Sequence, residues 1–118
     1  MRIAVLSDTH DQILNLRTAV TYCNSYSVQM MIHCGDLISP FMLIELAKFG
    51  GVVHFVYGNN LGDQHMISRY CGTKYPSINH HGTLGAVEAG GKKIAFTHYP
   101  VMARGIACQG DFDVVCCG

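Results

Sequence analysis

Apolar and polar positions follow one another along the chain in blocks that predict alternating strands and helices. Short uninterrupted apolar runs predict buried strands, whereas apolar residues at helical spacing predict an amphipathic helix. The predicted strands of the first half are residues 2–7, 28–34 and 52–57, and the predicted helices are residues 11–25, 40–48 and 61–71. This alternation is typical of an α/β fold whose parallel sheet is covered by helices.

Turn and capping residues support the boundaries of two of these helices. Asp11 is predicted to cap the first helix, and Ser39 is predicted to cap the second, which Pro40 opens. Gly50 and Gly51 are predicted to end the second helix. The pattern over residues 61–71 predicts a weaker helix.

The pattern changes after Pro76. Short strands are predicted over residues 77–80, 83–89 and 92–97, a helix over Val101 to Cys108 and a last strand over Phe112 to Cys117. Gly90 and Gly91 stand between two of these strands, which is typical of a hairpin. Since no linker, repeat or low-complexity segment interrupts residues 1–118, we expect one domain.

Composition narrows the class of protein. The 118 residues are 49% hydrophobic and 14% charged, with a formal net charge of zero, which is typical of a globular domain. Zero charge gives no reason to expect binding to nucleic acid or to an anionic membrane. No apolar run reaches the roughly 18 residues of a membrane span, and the first residues do not resemble a secretory signal. We therefore expect a cytoplasmic location.

Six cysteines are present, and none belongs to a C-x-x-C pair, so a zinc ribbon or thioredoxin motif is unsupported. In the cytoplasm they are expected to remain thiols, mostly as small core residues. Cys34 is the best candidate for a functional thiol because it lies two residues before Asp36.

Polar residues at the ends of four predicted strands carry the candidate chemistry. Asp8 and His10 follow the first strand, Asp36 the second, Asn59 the third, and His98 a later one. Ligands of open α/β sheets collect at the carboxyl ends of strands, and mixed Asp, Asn and His ligands suit borderline divalent ions. Taken singly, each residue could be a cap, turn or loop residue. Together they predict one metal site, in which a carboxylate at Asp36 can bridge two cations.

These motifs resemble those of the calcineurin-like metallophosphoesterases, with the small bacterial and archaeal phosphodiesterase-type branch as the nearest. The motifs are Ser7-Asp8-Thr9-His10, Gly35-Asp36, Gly58-Asn59 and His98, and they span essentially the whole chain. The resemblance implies a four-layer α/β/β/α sandwich and two divalent ions, with Mn²⁺ preferred over Ni²⁺, Fe²⁺, Zn²⁺ or Mg²⁺. It also implies that Asp8 and His10 hold the first ion, that Asp36 bridges, and that Asn59 and His98 hold the second.

The chain departs from the family pattern beside the ligands. In the family, the asparagine motif usually continues to an acidic residue, often through a histidine that can donate a proton. Here Asn60 and Leu61 follow, and the first acid is Asp63. The general acid is therefore left open between water and Asp63. Tyr99 follows His98 where the family often has glycine.

The end of the chain is the largest departure. Residues 112–117 resemble the strand that leads into the family's G-H-x-H motif, whose two histidines would each bind one ion, and the chain stops at Gly118. We expect a C-terminally incomplete domain that lacks the C-terminal strands, a truncated product being favoured over a genuine short form. A genuine short form is expected to form a homo-oligomer through the exposed C-terminal strand.

Other polar residues have ordinary explanations. His33 and His54 lie inside predicted strands and are typical of hydrogen-bonded core histidines. Candidates for contact with a substrate or phosphate are His65, the pair His80-His81, Arg69 and Arg104. Surface solvation is the default interpretation of the two arginines.

The functional hypothesis is a metallophosphoesterase that hydrolyses small phosphodiesters with a metal-bound hydroxide at a dinuclear centre. The alternative is a non-catalytic scaffold with the same fold, similar to a retromer subunit. The lack of an acidic residue after Asn59 and the incomplete ligand set favour this alternative. A metallo-deaminase or metallopeptidase lacks its H-x-E or H-E-x-x-H motif here.

Overall fold

Two β-sheets form the centre of the structure, a computed structural model that describes residues 1–118. The strands are β1 (Ile3–Leu6), β2 (Met30–His33), β3 (Val52–Phe55), β4 (Ile78–His80), β5 (Leu84–Ala89), β6 (Lys92–Thr97) and β7 (Val114–Cys116). The helices are α1 (Ile13–Ser25), α2 (Met42–Leu46), α3 (Gln64–Tyr70) and α4 (Pro100–Gln109). Each predicted element is present, with boundaries that differ by up to a few residues.

The first sheet is parallel, in the order β1-β2-β3-β4. All four residues of β2 are buried, as the prediction of a strand covered on both faces requires. One face packs against α1, α2 and α3 through a core that includes Leu16, Met31, Leu43 and Phe55. Because these strands run parallel, their carboxyl ends all lie at one edge of the sheet.

The other face of the first sheet packs against the second sheet. Ile32 and Val56 of the first sheet region share a core with Ile94 and Phe96 of β6. In the second sheet β6 pairs antiparallel with β5, across the predicted glycine hairpin, and parallel with β7. Helix α4 contacts β6 and β7, where Ala103 and Ile106 are buried. The layers are therefore α/β/β/α, which confirms the predicted fold class.

The predicted helix caps are wrong. Helix α1 begins after Gln12, and Asp11 instead accepts hydrogen bonds from the backbone nitrogen (2.8 Å) and hydroxyl (2.6 Å) of Ser39. The two residues thus bind each other and join the loops that precede α1 and α2. Helix α2 is also shorter than predicted, because its flanks are tight turns such as Met42 N–H to Ser39 O at 3.0 Å.

Strand β7 is an edge strand that pairs only with β6. Residues after it lie at the edge where the parallel strands of the first sheet end, since Gly118 lies against His98 and Ser7. Self-association through β7 stays a prediction. The longest helix, α1, has 13 residues, and none is both long and apolar enough to cross a membrane.

Candidate metal centre

The five predicted ligands lie together at the carboxyl edge of the first sheet, and the buried Asp36 carboxylate is at their centre. His10 Nε2 lies 3.1 Å from Asp36 Oδ2 and 3.4 Å from Asp8 Oδ1. On the other side, His98 Nε2 lies 3.6 Å from Asp36 Oδ1 and 2.7 Å from Asn59 Oδ1. Two groups of donor atoms therefore share one carboxylate.

The first group is compact and open to solvent. One ligand atom from each of Asp8, His10 and Asp36 lies within 4.8 Å of the other two. The side chains of Asp8 and His10 are each 44% exposed, whereas Asp36 is 2% exposed. Carboxylate oxygens and an imidazole nitrogen form a donor set that fits a borderline divalent ion.

The second group shows converging lone pairs. His98 Nδ1 lies 2.9 Å from the carbonyl oxygen of Cys34, which can only accept, so Nδ1 carries the proton in the neutral ring. Nε2 then presents a lone pair toward Asn59 Oδ1 and Asp36 Oδ1, which are acceptors as well. A cation in this space satisfies all three atoms, so this group also fits a metal ion.

Unusual backbone conformations place the ligands. Asp8 (φ 55°), His10 (φ 42°) and Asp36 (φ 57°) all adopt the left-handed region, which is uncommon for residues other than glycine. Such conformations cost free energy and persist only where the surroundings hold them. Here the Asp8 N–H donates to Gly35 O, and the His10 N–H donates to Asp36 O, each at 3.0 Å. The loops after β1 and β2 are thus bonded to each other.

Two glycines permit the close approach of these loops. Gly35 has φ 104°, and a Cβ on it would lie 2.7 Å from His98 Nδ1, so the histidine ring packs directly on the backbone. A Cβ on Gly58 would lie 2.7 Å from the backbone nitrogen of Asp36 and nearer still to its carboxylate. Both positions therefore need glycine, because any side chain there would collide with His98 or Asp36.

Asn60 is a site residue that sequence reasoning missed. Its backbone N–H donates to Asp36 Oδ1 (2.9 Å) and its side-chain Nδ2 donates to Oδ2 (2.6 Å). Burial alone would raise the pKa of Asp36, but these two hydrogen bonds, together with the nearby His98 and His10, outweigh burial and lower it. Asn60 thus stands where the motif resemblance would imply a proton-donating histidine, and it stabilises the ionised Asp36 instead. No local sequence signal indicates this pairing.

Several other candidates lie outside the cluster. Asp63 caps α3 by accepting from the Met66 N–H at 2.9 Å. The remaining exposed candidates make no hydrogen bond or ion pair with the five ligands; they are His65, Arg69 and Arg104. His81 pairs with His54 at 2.9 Å between Nε2 and Nδ1. A cavity of about 310 Å³ beside β4 is lined by His80 and His81 but by none of the five ligands.

All six cysteines are free thiols, but only Cys23 and Cys34 are buried. Burial raises the pKa of the Cys34 thiol to about 12, so this thiol stays protonated at neutral pH. Cys34 contributes to the site through its backbone carbonyl, which orients His98, and a nucleophilic role for its thiol is unsupported.

Comparison with known proteins gives one family and a consistent fold. The model of the calcineurin-like phosphoesterase superfamily domain matches residues 1–118. A phosphodiesterase of Methanocaldococcus jannaschii is 39% identical over 64 residues, which are 54% of this chain. The matched segment spans only 39% of that relative's length.

Solved structures extend the comparison. The solved structure of a protein described as an archaeal phosphodiesterase superposes with a TM-score of 0.87 at 29% identity, over 98% of this chain and 70% of that one. Vps29 of Entamoeba histolytica in complex with Zn²⁺ gives a TM-score of 0.67 at 17% identity, over 100% of this chain and 63% of that one. The second similarity shows a shared fold alone.

Proposed function

Because this chain belongs to the calcineurin-like phosphoesterase superfamily, which is metal-dependent, we propose that it hydrolyses phosphodiesters with the help of two divalent metal ions. The observation that supports this most strongly is the buried Asp36 carboxylate, whose two oxygens face separate groups of donor atoms. A carboxylate with one oxygen toward each group has the geometry of a bridging ligand.

In this proposal Asp8 and His10 hold the first ion, Asn59 and His98 hold the second, and Asp36 bridges them. When bound, such ions neutralise charge on a phosphoryl group and lower the pKa of an attacking water. Mn²⁺ remains the favoured ion, because the mixed oxygen and nitrogen donors are of borderline type.

The surrounding residues prepare this site for metal binding. Asn60 stabilises the ionised form of Asp36, so no proton must leave this carboxyl before it can bind a cation near neutral pH. The Cys34 carbonyl fixes the tautomer of His98 that presents Nε2 to the site. Since Asn60 cannot donate an ionisable proton and Asp63 caps α3, we propose that water protonates the leaving group.

The substrate class rests on similarity and on access. The curated relative from M. jannaschii and the archaeal solved structure are both described as phosphodiesterases. The half-exposed Asp8 and His10 leave the metal edge open on one side, which suits a small diester approaching from solvent. The zero net charge gives no support for a nucleic-acid substrate.

The alternative of a non-catalytic scaffold is supported by the shared fold with Vps29 proteins of Entamoeba histolytica and Cryptosporidium parvum, and by the lack of an acidic residue directly after Asn59. Fold similarity alone does not assign function. Because Vps29 is also known as a Zn²⁺ complex, metal binding alone does not separate the two functions, and hydrolysis is the discriminating measurement.

The test is hydrolysis of bis-p-nitrophenyl phosphate with added Mn²⁺ or Ni²⁺. We expect hydrolysis that EDTA abolishes and that Asp36→Ala reduces by more than about 100-fold, since loss of a ligand exceeds the usual effect of losing an outer partner. Asp111→Ala is the matched control, because Asp111 is exposed and lies in the segment between α4 and β7. Equal rates of hydrolysis for wild type and Asp36→Ala would refute the proposal.

A further inference from the structure

A fully buried histidine lies beneath the ligand-bearing loops. His33 is the last residue of β2, and none of its surface is exposed. Its Nδ1 lies 3.3 Å from the backbone nitrogen of Gly35, and its Nε2 lies 3.0 Å from the hydroxyl of Thr9. Gly35 precedes one ligand, whereas Thr9 stands between two others, so this single ring contacts both loops.

The tautomer of His33 follows from its partners. A backbone N–H can only donate, so Nδ1 accepts from Gly35 and the neutral ring carries its proton on Nε2. Nε2 then donates to the Thr9 hydroxyl. Burial lowers the pKa of His33 to about 4, which keeps the ring neutral and preserves this pattern at neutral pH.

We infer that His33 is a positioning residue, which fixes the loop carrying Asp8 and His10 against the loop carrying Asp36. The inference rests on the proposed metal binding, because its consequence is the spacing of those ligands. The backbone of Asp8 and Asp36 is strained, so contacts beneath it are needed to hold it in place. His33 supplies such a contact at the point where the two loops leave the sheet.

Two variants remove this contact in different ways. His33→Leu deletes both ring nitrogens, whereas Thr9→Val deletes only the hydroxyl and preserves the shape of the side chain. We expect each to weaken Mn²⁺ binding by about tenfold or more in calorimetric titration, as loss of an outer partner of a metal ligand does. Thr9→Val is the milder change and keeps the test decisive if His33→Leu does not fold.

Met31→Val is the matched control for general destabilisation. Met31 lies two residues before His33, on the same face of β2, and is equally buried, but it belongs to the core beneath the helices. We expect this control to bind Mn²⁺ within twofold of wild type. If Thr9→Val also bound Mn²⁺ within twofold of wild type, the inference would be refuted.

A measurement without metal separates this inference from the proposed function. The Asp8 and His10 amides donate to Gly35 O and Asp36 O, so their hydrogen exchange reports how firmly the loops are joined. We expect faster exchange at both amides in Thr9→Val than in Met31→Val. Absence of Mn²⁺ binding by wild type would refute the proposed function. Unchanged hydrogen exchange at both amides in Thr9→Val would refute the role of His33, whether or not metal binds.

Discussion

Gly58→Ala is the substitution that most sharply perturbs the centre of the site. Gly58 does not have a positive φ, so alanine can adopt its backbone conformation without strain. The added Cβ would nevertheless lie 2.7 Å from the backbone nitrogen of Asp36 and closer still to its carboxylate. Since carbon contacts become favourable only near 3.5 Å, Asp36 and Gly58 must separate by about 0.8 Å or more.

This separation sets the expected magnitudes. Overpacking of a closely packed position costs about 1–3 kcal/mol in the free energy of unfolding. A displacement approaching 1 Å in a site that needs exact geometry can cost about 100-fold in rate. We therefore expect Gly58→Ala to fold, to lose about 1–3 kcal/mol of stability, and to lose at least about tenfold in Mn²⁺ affinity.

Gly105→Ala is the matched control, because it adds the same methyl group elsewhere. Gly105 lies within α4, and a Cβ there meets no atom within 4 Å. Its unfolding free energy should rise by up to about 1 kcal/mol, because alanine favours a helix more than glycine does. Urea unfolding and calorimetric titration with Mn²⁺ measure both quantities. A Gly58→Ala variant with wild-type stability and wild-type Mn²⁺ affinity would refute the close approach of Gly58 to Asp36.

Three further predictions concern single side chains. In EDTA, the free energy of unfolding should fall by up to about 3 kcal/mol as pH decreases from about 6.5 to about 4, because the unfolded chain binds a proton that the buried His33 does not bind. Urea unfolding of His33→Gln should show a smaller pH dependence over this range. An equally steep pH dependence would contradict the assignment of the low pKa to His33. Asp63→Ala should lower the free energy of unfolding by about 1 kcal/mol, because the Met66 N–H loses its capping acceptor, and it should change the rate of hydrolysis little. A large loss of hydrolysis would instead identify Asp63 as the general acid. Asn60→Ala should raise the pKa of Asp36, so that on acidification Mn²⁺ binding is lost at a higher pH than in wild type. Calorimetry that gives the same pH midpoint of Mn²⁺ binding for variant and wild type would contradict the stabilisation of ionised Asp36 by Asn60.

The order and type of the elements could be predicted because the relevant signals are local. The run Met30–His33 is apolar enough to need cover on both faces, and the Gly90-Gly91 pair specifies a hairpin. The predicted caps failed because the Asp11 carboxylate bonds Ser39, 28 residues away. Capping preferences describe one helix end and carry no information about a partner in another loop.

The candidate site shows the same division between local and distant information. Asp8, Asp36 and Asn59 could be placed at one edge because the carboxyl ends of the parallel strands β1, β2 and β3 meet there, whereas His98 reaches that edge from β6 of the second sheet. The roles of Asn60 and His33 could not be found in this way, since each depends on a contact across 24 residues of sequence. Both looked ordinary, one as a turn residue and the other as a core histidine.

The most direct test of the proposed two-metal site is the binding stoichiometry of Mn²⁺ measured beside hydrolysis of bis-p-nitrophenyl phosphate. We expect two ions per chain in wild type, with hydrolysis that rises as the sites fill. In Asp36→Ala, loss of the shared carboxylate should weaken both sites and abolish hydrolysis together. A chain that binds no Mn²⁺, or one whose hydrolysis is unchanged in Asp36→Ala, would contradict the proposed two-metal site.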